Sequence, residues 1–354
     1  MRVGLIVPAN LKYAPYVQYY LSVLKENSID YKLMLWNKAG IREDAECLLN
    51  FDSSDTNRKK ILLGHILFAH KCKKYVKSEH IDHLIVFTIA PLFFLGFHFL
   101  RQFRNKLIID IRDDSPFRRK FPNKLKQICS LAKNIVVSSS NFEPWTGRET
   151  ILCHNADVEL IKKYYELNVK EKKEAPYTIV FAGSMIEADI NISIIRKLKN
   201  SKLFSFGFIG KTNEFKEKII NEVTENGFSN VWFEGTYEKS EIVNKYRTYA
   251  DFINIFRQNT TVNKNALPNK LYDAIVSAVP VVVFRHNEAI VKYVEKYQLG
   301  IVLDDSELDT LEKSLLAKIQ KFDYSLFEKG RRVFLEEVLG DQNNFEGMLS
   351  SFVV

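Results

Sequence analysis

The stretch Leu267-Pro268-Asn269-Lys270-Leu271-Tyr272-Asp273-Ala274-Ile275-Val276-Ser277-Ala278-Val279-Pro280-Val281-Val282 changes character midway. Pro268 suits the first turn of a helix, where its missing N–H would be unpaired in any case. Lys270 follows where a cation can meet an anion drawn to that helix end. Asp273 lies about one turn further in. Residues 278–282 then leave the helix for an apolar, β-branched run with the character of a buried strand. A helix that feeds directly into a buried strand is half of a repeating α/β unit.

The same alternation extends on both sides. Residues 177–181, 205–209, 231–233, 252–256 and 281–284 read as buried strands, separated by helical stretches such as 214–223 and 241–249. Three of these strands run into glycine, at Gly183, Gly210 and Gly235, the residue that lets backbone approach a phosphate closely. Upstream, residues 3–7, 31–35, 84–89, 107–111 and 134–138 form a comparable series, with a helical spacing over 16–24. Alternation of this kind predicts mostly parallel sheets covered on both faces. The charged segment 169–176 has no apolar period and reads as a linker. The expected organisation is an N-terminal domain over 1–168, a linker over 169–176, a second domain over 177–335, and a C-terminal helix over 336–354 packing back on the first domain. The fold class is α/β, with two Rossmann-like doubly wound domains facing a cleft.

Composition narrows the functional classes. The 354 residues exceed one ordinary core, and 46% hydrophobic with 27% charged residues is globular. Cys47, Cys72, Cys129 and Cys153 are widely separated and form no zinc or redox motif, which predicts free thiols in a reducing compartment. The N-terminus lacks the pattern of a secretory signal, so cytoplasmic residence is expected, with peripheral attachment to the inner face of the plasma membrane. Residues 84–100 are nearly all apolar but carry Thr88, Pro91 and His98, and they fit a strand followed by a helix better than a span. Of the net charge of +8, residues 1–174 hold 29 Lys and Arg against 19 Asp and Glu, and residues 175–354 hold 22 against 24. No G-x-G-x-x-G follows the first strand, which argues against a dinucleotide dehydrogenase. No nucleic-acid recognition motif accompanies the basic half.

The 267–282 segment resembles the P-x-K-L-x-E-Y-x-A-x-G-x-P-V element of family-four glycosyltransferases with the GT-B fold. The order of upstream pieces agrees. Phe181-Ala182-Gly183-Ser184, then residues 206–211 around Gly210 and Lys211, then Asn230-Val231-Trp232-Phe233-Glu234-Gly235, then Tyr249-Ala250-Asp251-Phe252 resemble the family's donor-domain series, and Cys153-His154-Asn155-Ala156-Asp157 resembles its N-G-x-D element. The resemblance implies that Asp273 holds ribose hydroxyls of a nucleotide sugar. It also implies that Asp113, after the strand ending at Ile111, matches a short polar element facing the sugar. Some positions depart from the family. Asn265 stands where a second acid is frequent, Ser184 where an arginine commonly faces the diphosphate, and Val279 where glycine is usual. Without that arginine, Arg257, Lys264, Lys211 and Lys270 are the candidate diphosphate cations, because a buried diphosphate needs paired positive charge.

The expected catalytic residues are Asp113, Arg257 and Lys270. Expected substrate contacts are Gly183, Ser184, Gly210, Lys211, Lys264, Asn265, Pro268, Asn269, Leu271 and Asp273, with Asn10 and Lys12 after the first strand. The resemblance implies transfer of a sugar from a nucleotide-diphosphate donor to a saccharide or polyprenyl-diphosphate-linked acceptor in surface or capsular polysaccharide synthesis, with retained anomeric configuration. No metal or other cofactor is expected, since no D-x-D pair lies at a phosphate turn. Arg101, Arg104, Lys106, Arg118, Arg119 and Lys120, near the apolar residues 93–99, are the expected contacts to an anionic membrane. A nucleotide-sugar 2-epimerase is disfavoured by the presence of only seven histidines. A non-catalytic nucleotide-sugar-binding or partner-binding protein is the other alternative.

Overall fold

A computed structural model describes residues 1–41, 45–53, 58–171 and 173–353. The chain forms two compact units, Met1–His154 with Gly340–Val354, and Asn155–Leu339.

The first unit is built on β1 (Arg2–Val7), β2 (Asp30–Asn37), β3 (Leu49–Asp52), β4 (His83–Phe87), β5 (Leu107–Ile111), β6 (Asn134–Val137) and β7 (Ile151–Leu152), all parallel, in the order β3-β2-β1-β4-β5-β6-β7. The central strands are apolar on both faces because helices cover both, as in β1, where residues 3–7 are all buried. Residues 84–100 divide into β4 and two short helices, Ile89–Leu95 and Phe97–Arg101, which part at Gly96 with φ +76°. Among the described residues, no helix is long and apolar enough to cross a membrane.

The second unit contains β8 (Tyr177–Ala182), β9 (Phe204–Ile209), β10 (Val231–Glu234), β11 (Phe252–Ile255), β12 (Val281–Phe284) and β13 (Gly300–Leu303). They are parallel and ordered β10-β9-β8-β11-β12-β13. The chain runs outward from β8 to β10 and then restarts at β11 on the other side of β8, so the order reverses between β8 and β11. In an open parallel sheet that reversal leaves a crevice beyond the strand C-termini, since the two flanking connections depart to opposite faces.

The polypeptide passes from one unit to the other at His154 and Asn155, before the 169–176 segment. Ala156 and Ile161 are buried in the second unit's core, so residues 155–168 belong with that unit by packing. The final helix, Tyr324–Val353, contributes Phe327, Phe334, Leu335 and Val338 to that core. Its last turns contribute Phe345, Leu349 and Phe352 to the core of the first unit. Arg331 is fully buried on this helix, and it donates to the carbonyls of Ile275, Tyr164 and Tyr165. A guanidinium satisfied in this way does not carry the cost of an unpaired buried charge.

Candidate functional site in the second unit

The crevice at the β8–β11 reversal is formed by backbone that only glycine permits. A Cβ on Gly210 would lie 2.3 Å from the carbonyl oxygen of Gly183, so the turns after β8 and β9 touch. Gly183 has φ +128°, and a Cβ placed on it would lie 3.6 Å from Cε of Lys270. Lys270 reaches this point from the first turn of the Asn269–Val276 helix, whose N-cap is Pro268. Its ammonium sits 3.0 Å from the centroid of the Phe181 ring on β8. No carbonyl or carboxylate among the described residues accepts a hydrogen bond from it. Burial, and then the neighbouring Arg257, hold its pKa well below the ordinary lysine value, with Glu187 and Asp273 opposing.

Arg257 arrives two residues beyond the end of β11. Its Nε lies 3.8 Å from Oε1 of Glu187, and Nη1 donates to the Ala266 carbonyl at 3.3 Å. Glu187 is held in turn by the backbone N–H of Gln258 at 3.0 Å and by Nδ2 of Asn263 at 3.1 Å. His286 supports the same loop, with Nε2 2.7 Å from the Arg257 carbonyl and Nδ1 2.6 Å from Asp305. Two cations therefore converge beside glycine turns and a helix N-terminus, an arrangement that fits a diphosphate.

Asp273, one turn inside the helix, has a side chain 13% exposed and is paired with Lys239. Burial raises its pKa, and Lys239 acts against that rise. The Tyr237 hydroxyl beside it is pushed up to about 12 by burial and by the Asp273 charge. The carboxylate thus lies on the same helix as Lys270, in position to accept hydroxyl donors near an anion held by Lys270.

Several expected contacts have other roles. Leu271 is fully buried in the second unit's core and is out of a ligand's reach, because one step of about 100° along the helix turns it from the Lys270 side to the core side. Lys264 pairs with Glu288 at 3.7 Å, and Asn265 donates to the Thr261 carbonyl at 2.9 Å, closing its own helix end. Ser184 and Lys211 are exposed, and the Ser184 carbonyl accepts from Asn213 at 2.8 Å. The left-handed residue before Pro280 is Ala278, with φ +53°, so the position that would favour glycine is Ala278 and not Val279.

In the first unit, Asn10 is buried rather than presented to a ligand. It donates to Asn37 at 2.7 Å and accepts from the Ala39 N–H at 3.0 Å, which ties the ends of β1 and β2 together. Lys12 is exposed. Asp113 is exposed just past β5, while Asp110 and Arg112 form a buried pair in which Arg112 also holds the Cys153 carbonyl at 2.8 Å. Asp114 takes Arg118 at 2.6 Å and Arg119 at 2.5 Å, which neutralises part of the basic cluster expected to face a membrane.

No protein-family model matches the sequence, and no curated protein matches it. Solved structures do. A sucrose-phosphate synthase from Thermosynechococcus elongatus superposes with a TM-score of 0.69 at 13% identity, over 98% of each chain. An E. coli trehalose-6-phosphate structure bound with UDP-2-fluoro glucose gives 0.66 at 10% identity, over 99% of each chain. The apo form of the lipopolysaccharide outer core galactosyltransferase WaaB gives 0.63 at 12%, over 98% of this chain and 99% of that one.

The fold is GT-B.

Within this GT-B chain, the sequence reading brought Gly183, Gly210, Arg257, Lys270 and Asp273 to one end of one sheet. It missed Glu187, Lys239 and His286. For Glu187 a signal was present: an acid four residues after a strand-terminal glycine, just before the Ala188–Lys197 helix, marks a helix start facing the same strand ends. Lys239 and His286 carried a weaker one, each lying shortly after a strand of the series.

Proposed function

We propose that this protein is a glycosyltransferase that binds a nucleoside-diphosphate sugar in its second unit and moves the sugar to an acceptor hydroxyl. The observation carrying the reading is the convergence of Arg257 and a Lys270 ammonium with no hydrogen-bond acceptor among the described residues on the Gly183 turn at the sheet's reversal point. The neighbour solved with UDP-2-fluoro glucose supports it.

On this reading Lys270, Arg257 and the N-terminal N–H groups of the Asn269–Val276 helix bear the negative charge that accumulates on the departing diphosphate. Groups fixed before the reaction stabilise such charge without reorganising, which is the main source of rate in transfers of this kind. Asp273 accepts from ribose hydroxyls and sets the register of the donor. Glu187 orients Arg257. In the first unit, Asp113, just past β5, and Lys12, just past β1, are proposed to bind saccharide. The acceptor class that fits is a saccharide carried on a lipid diphosphate in surface polysaccharide synthesis, consistent with the galactosyltransferase neighbour of the lipopolysaccharide core. Transfer is proposed to retain anomeric configuration and to need no divalent metal.

A thermal-shift panel of UDP, GDP, ADP and TDP sugars tests the donor, since a ligand that binds only the folded state raises its stability. One nucleotide series should raise Tm, and its sugar should be released or transferred in the presence of acceptor. A panel with no shift at all would contradict the reading. A bound donor that is never turned over would instead assign a non-catalytic nucleotide-sugar-binding role. Turnover abolished by EDTA and restored by magnesium would overturn the metal-free mechanism.

A further inference from the structure

The Arg58–Ser78 helix packs on β2 by one side only. A Cβ on Gly64 would lie 2.6 Å from the Trp36 ring, and Phe68 packs on that ring with centroids 5.5 Å apart. Cys72 and Val76 continue the buried side. At about 100° per residue, positions 62, 63, 66, 67, 70, 74 and 77 point the other way. Along that outer face Leu62, Leu63, Ile66 and Leu67 are between 45% and 54% exposed. His70, Lys74 and Lys77, also exposed, follow in the next turns. A single exposed leucine is ordinary; four contiguous apolar side chains are the mark of an interaction surface.

The charge on this helix has one sign. The helix contains seven Lys and Arg and no Asp or Glu. Beside its lysine end lies a groove of about 660 Å³ lined by His70, Lys73, Lys74, Lys77, Phe97 and His98. Lys73 donates to the Phe94 carbonyl at 3.2 Å, whereas Lys74 and Lys77 have no carboxylate partner among the described residues. The chain's whole net charge lies in this unit, where Lys and Arg outnumber Asp and Glu 24 to 16, against 27 to 27 in the other.

We propose that this helix face docks the first unit on a bilayer containing anionic phospholipid. The Leu62–Leu67 row enters the boundary between headgroups and acyl chains, and the lysines of the groove hold lipid phosphates. The charge pattern selects this occupant. A second copy docking face to face would bring Lys74 and Lys77 against a helix that carries no Asp or Glu, and the helix is too polar to cross a membrane, so it lies on the surface. The proposal stands apart from the donor site and from the Arg118–Arg119 cluster, which Asp114 already occupies.

The test is co-sedimentation of the full chain with phosphatidylcholine vesicles with and without phosphatidylglycerol, together with sedimentation velocity of the protein alone. Wild type should bind only the anionic vesicles, and less as salt rises. Lys74→Gln with Lys77→Gln should lower the partition about 25-fold, at about fivefold per charge near an anionic surface. Leu62→Gln, Leu63→Gln, Ile66→Gln and Leu67→Gln together should lower it about tenfold or more. Arg118→Gln with Arg119→Gln should leave it unchanged. Equal binding by wild type and both face variants, or no binding to anionic vesicles, would overturn the proposal. A wild-type dimer that the Leu/Ile variant turns monomeric would also overturn it and assign the face to a second copy.

Discussion

Replacing Lys270 by Met should separate ligand binding from folding. Methionine fills nearly the same volume over the Phe181 ring while removing the charge. The native state then loses a cation–π contact of about 0.5–2 kcal/mol. Against that, it no longer holds a desolvated ammonium whose charged form burial and Arg257 both disfavour. The two effects oppose each other, so Tm should move by only a few degrees, at about 2–4 °C per kcal/mol for a domain of this size. Binding has no such compensation. An ammonium held against a phosphate oxygen contributes about 1.5–3 kcal/mol as a charge-assisted hydrogen bond, which corresponds to a Kd raised roughly 10–150-fold. Titration calorimetry with a nucleoside diphosphate, paired with thermal unfolding of the same samples, reads both quantities. A variant that binds the diphosphate as wild type does, or one that unfolds ten degrees or more below it, would refute the reasoning, since either would make the ammonium a structural group.

Three further predictions concern the same crevice. Asp273→Ala should weaken binding of the nucleoside as well as the diphosphate, about 10–100-fold in calorimetry, at little cost in Tm, because the lost partner Lys239 is 49% exposed and returns to water; equal nucleoside affinity would contradict the ribose role. Gly210→Ala should displace the Gly183 turn, lower stability by about 1–3 kcal/mol and weaken diphosphate binding; unchanged unfolding would mean that the two turns do not touch as described. Diphosphate binding should take up a proton between the depressed Lys270 pKa and the ordinary lysine value, since an anion restores the charged form. In that window the unfolded chain binds more protons, so stability of the free protein should rise with pH, and the rise should flatten when diphosphate is bound. Calorimetry in two buffers of different ionisation enthalpy checks the uptake, and the same apparent enthalpy in both would count against it.

Much of this architecture is legible in the sequence because each strand is a short β-branched or aromatic run closed by a turn. Strand β5 coincides with the strand expected at 107–111, and the Glu214–Asn226 helix begins where its spacing predicts. Three strands went unread: β13, Gly300–Leu303, a four-residue apolar run at a sheet edge, and two without that signature. β3, Leu49–Asp52, alternates buried and exposed residues at a sheet edge, and β7 is only two residues long. Within the candidate site, the positions of Gly183, Gly210, Lys270 and Asp273 are legible because each is tied to a strand end or helix start. Leu271 was misread because a linear motif does not say which face of the helix each residue takes. Asn10 was misread because a polar residue after a strand looks the same whether it meets a ligand or, as here, clamps the neighbouring strand through Asn37. Arg118 and Arg119 looked like a free basic patch because their common partner, Asp114, is brought beneath them only by the helix turn that starts at Ser115.

The β8–β11 crevice is proposed to hold the diphosphate of a nucleotide sugar. This is tested most directly by a crystal structure of the protein with the nucleoside diphosphate that gives the largest thermal shift. Phosphate oxygens are expected within hydrogen-bonding distance of Lys270 Nζ and the Arg257 guanidinium, next to the Gly183 turn, with ribose hydroxyls on the Asp273 carboxylate. A nucleotide bound elsewhere, or bound here with its diphosphate turned away from both cations, would contradict it.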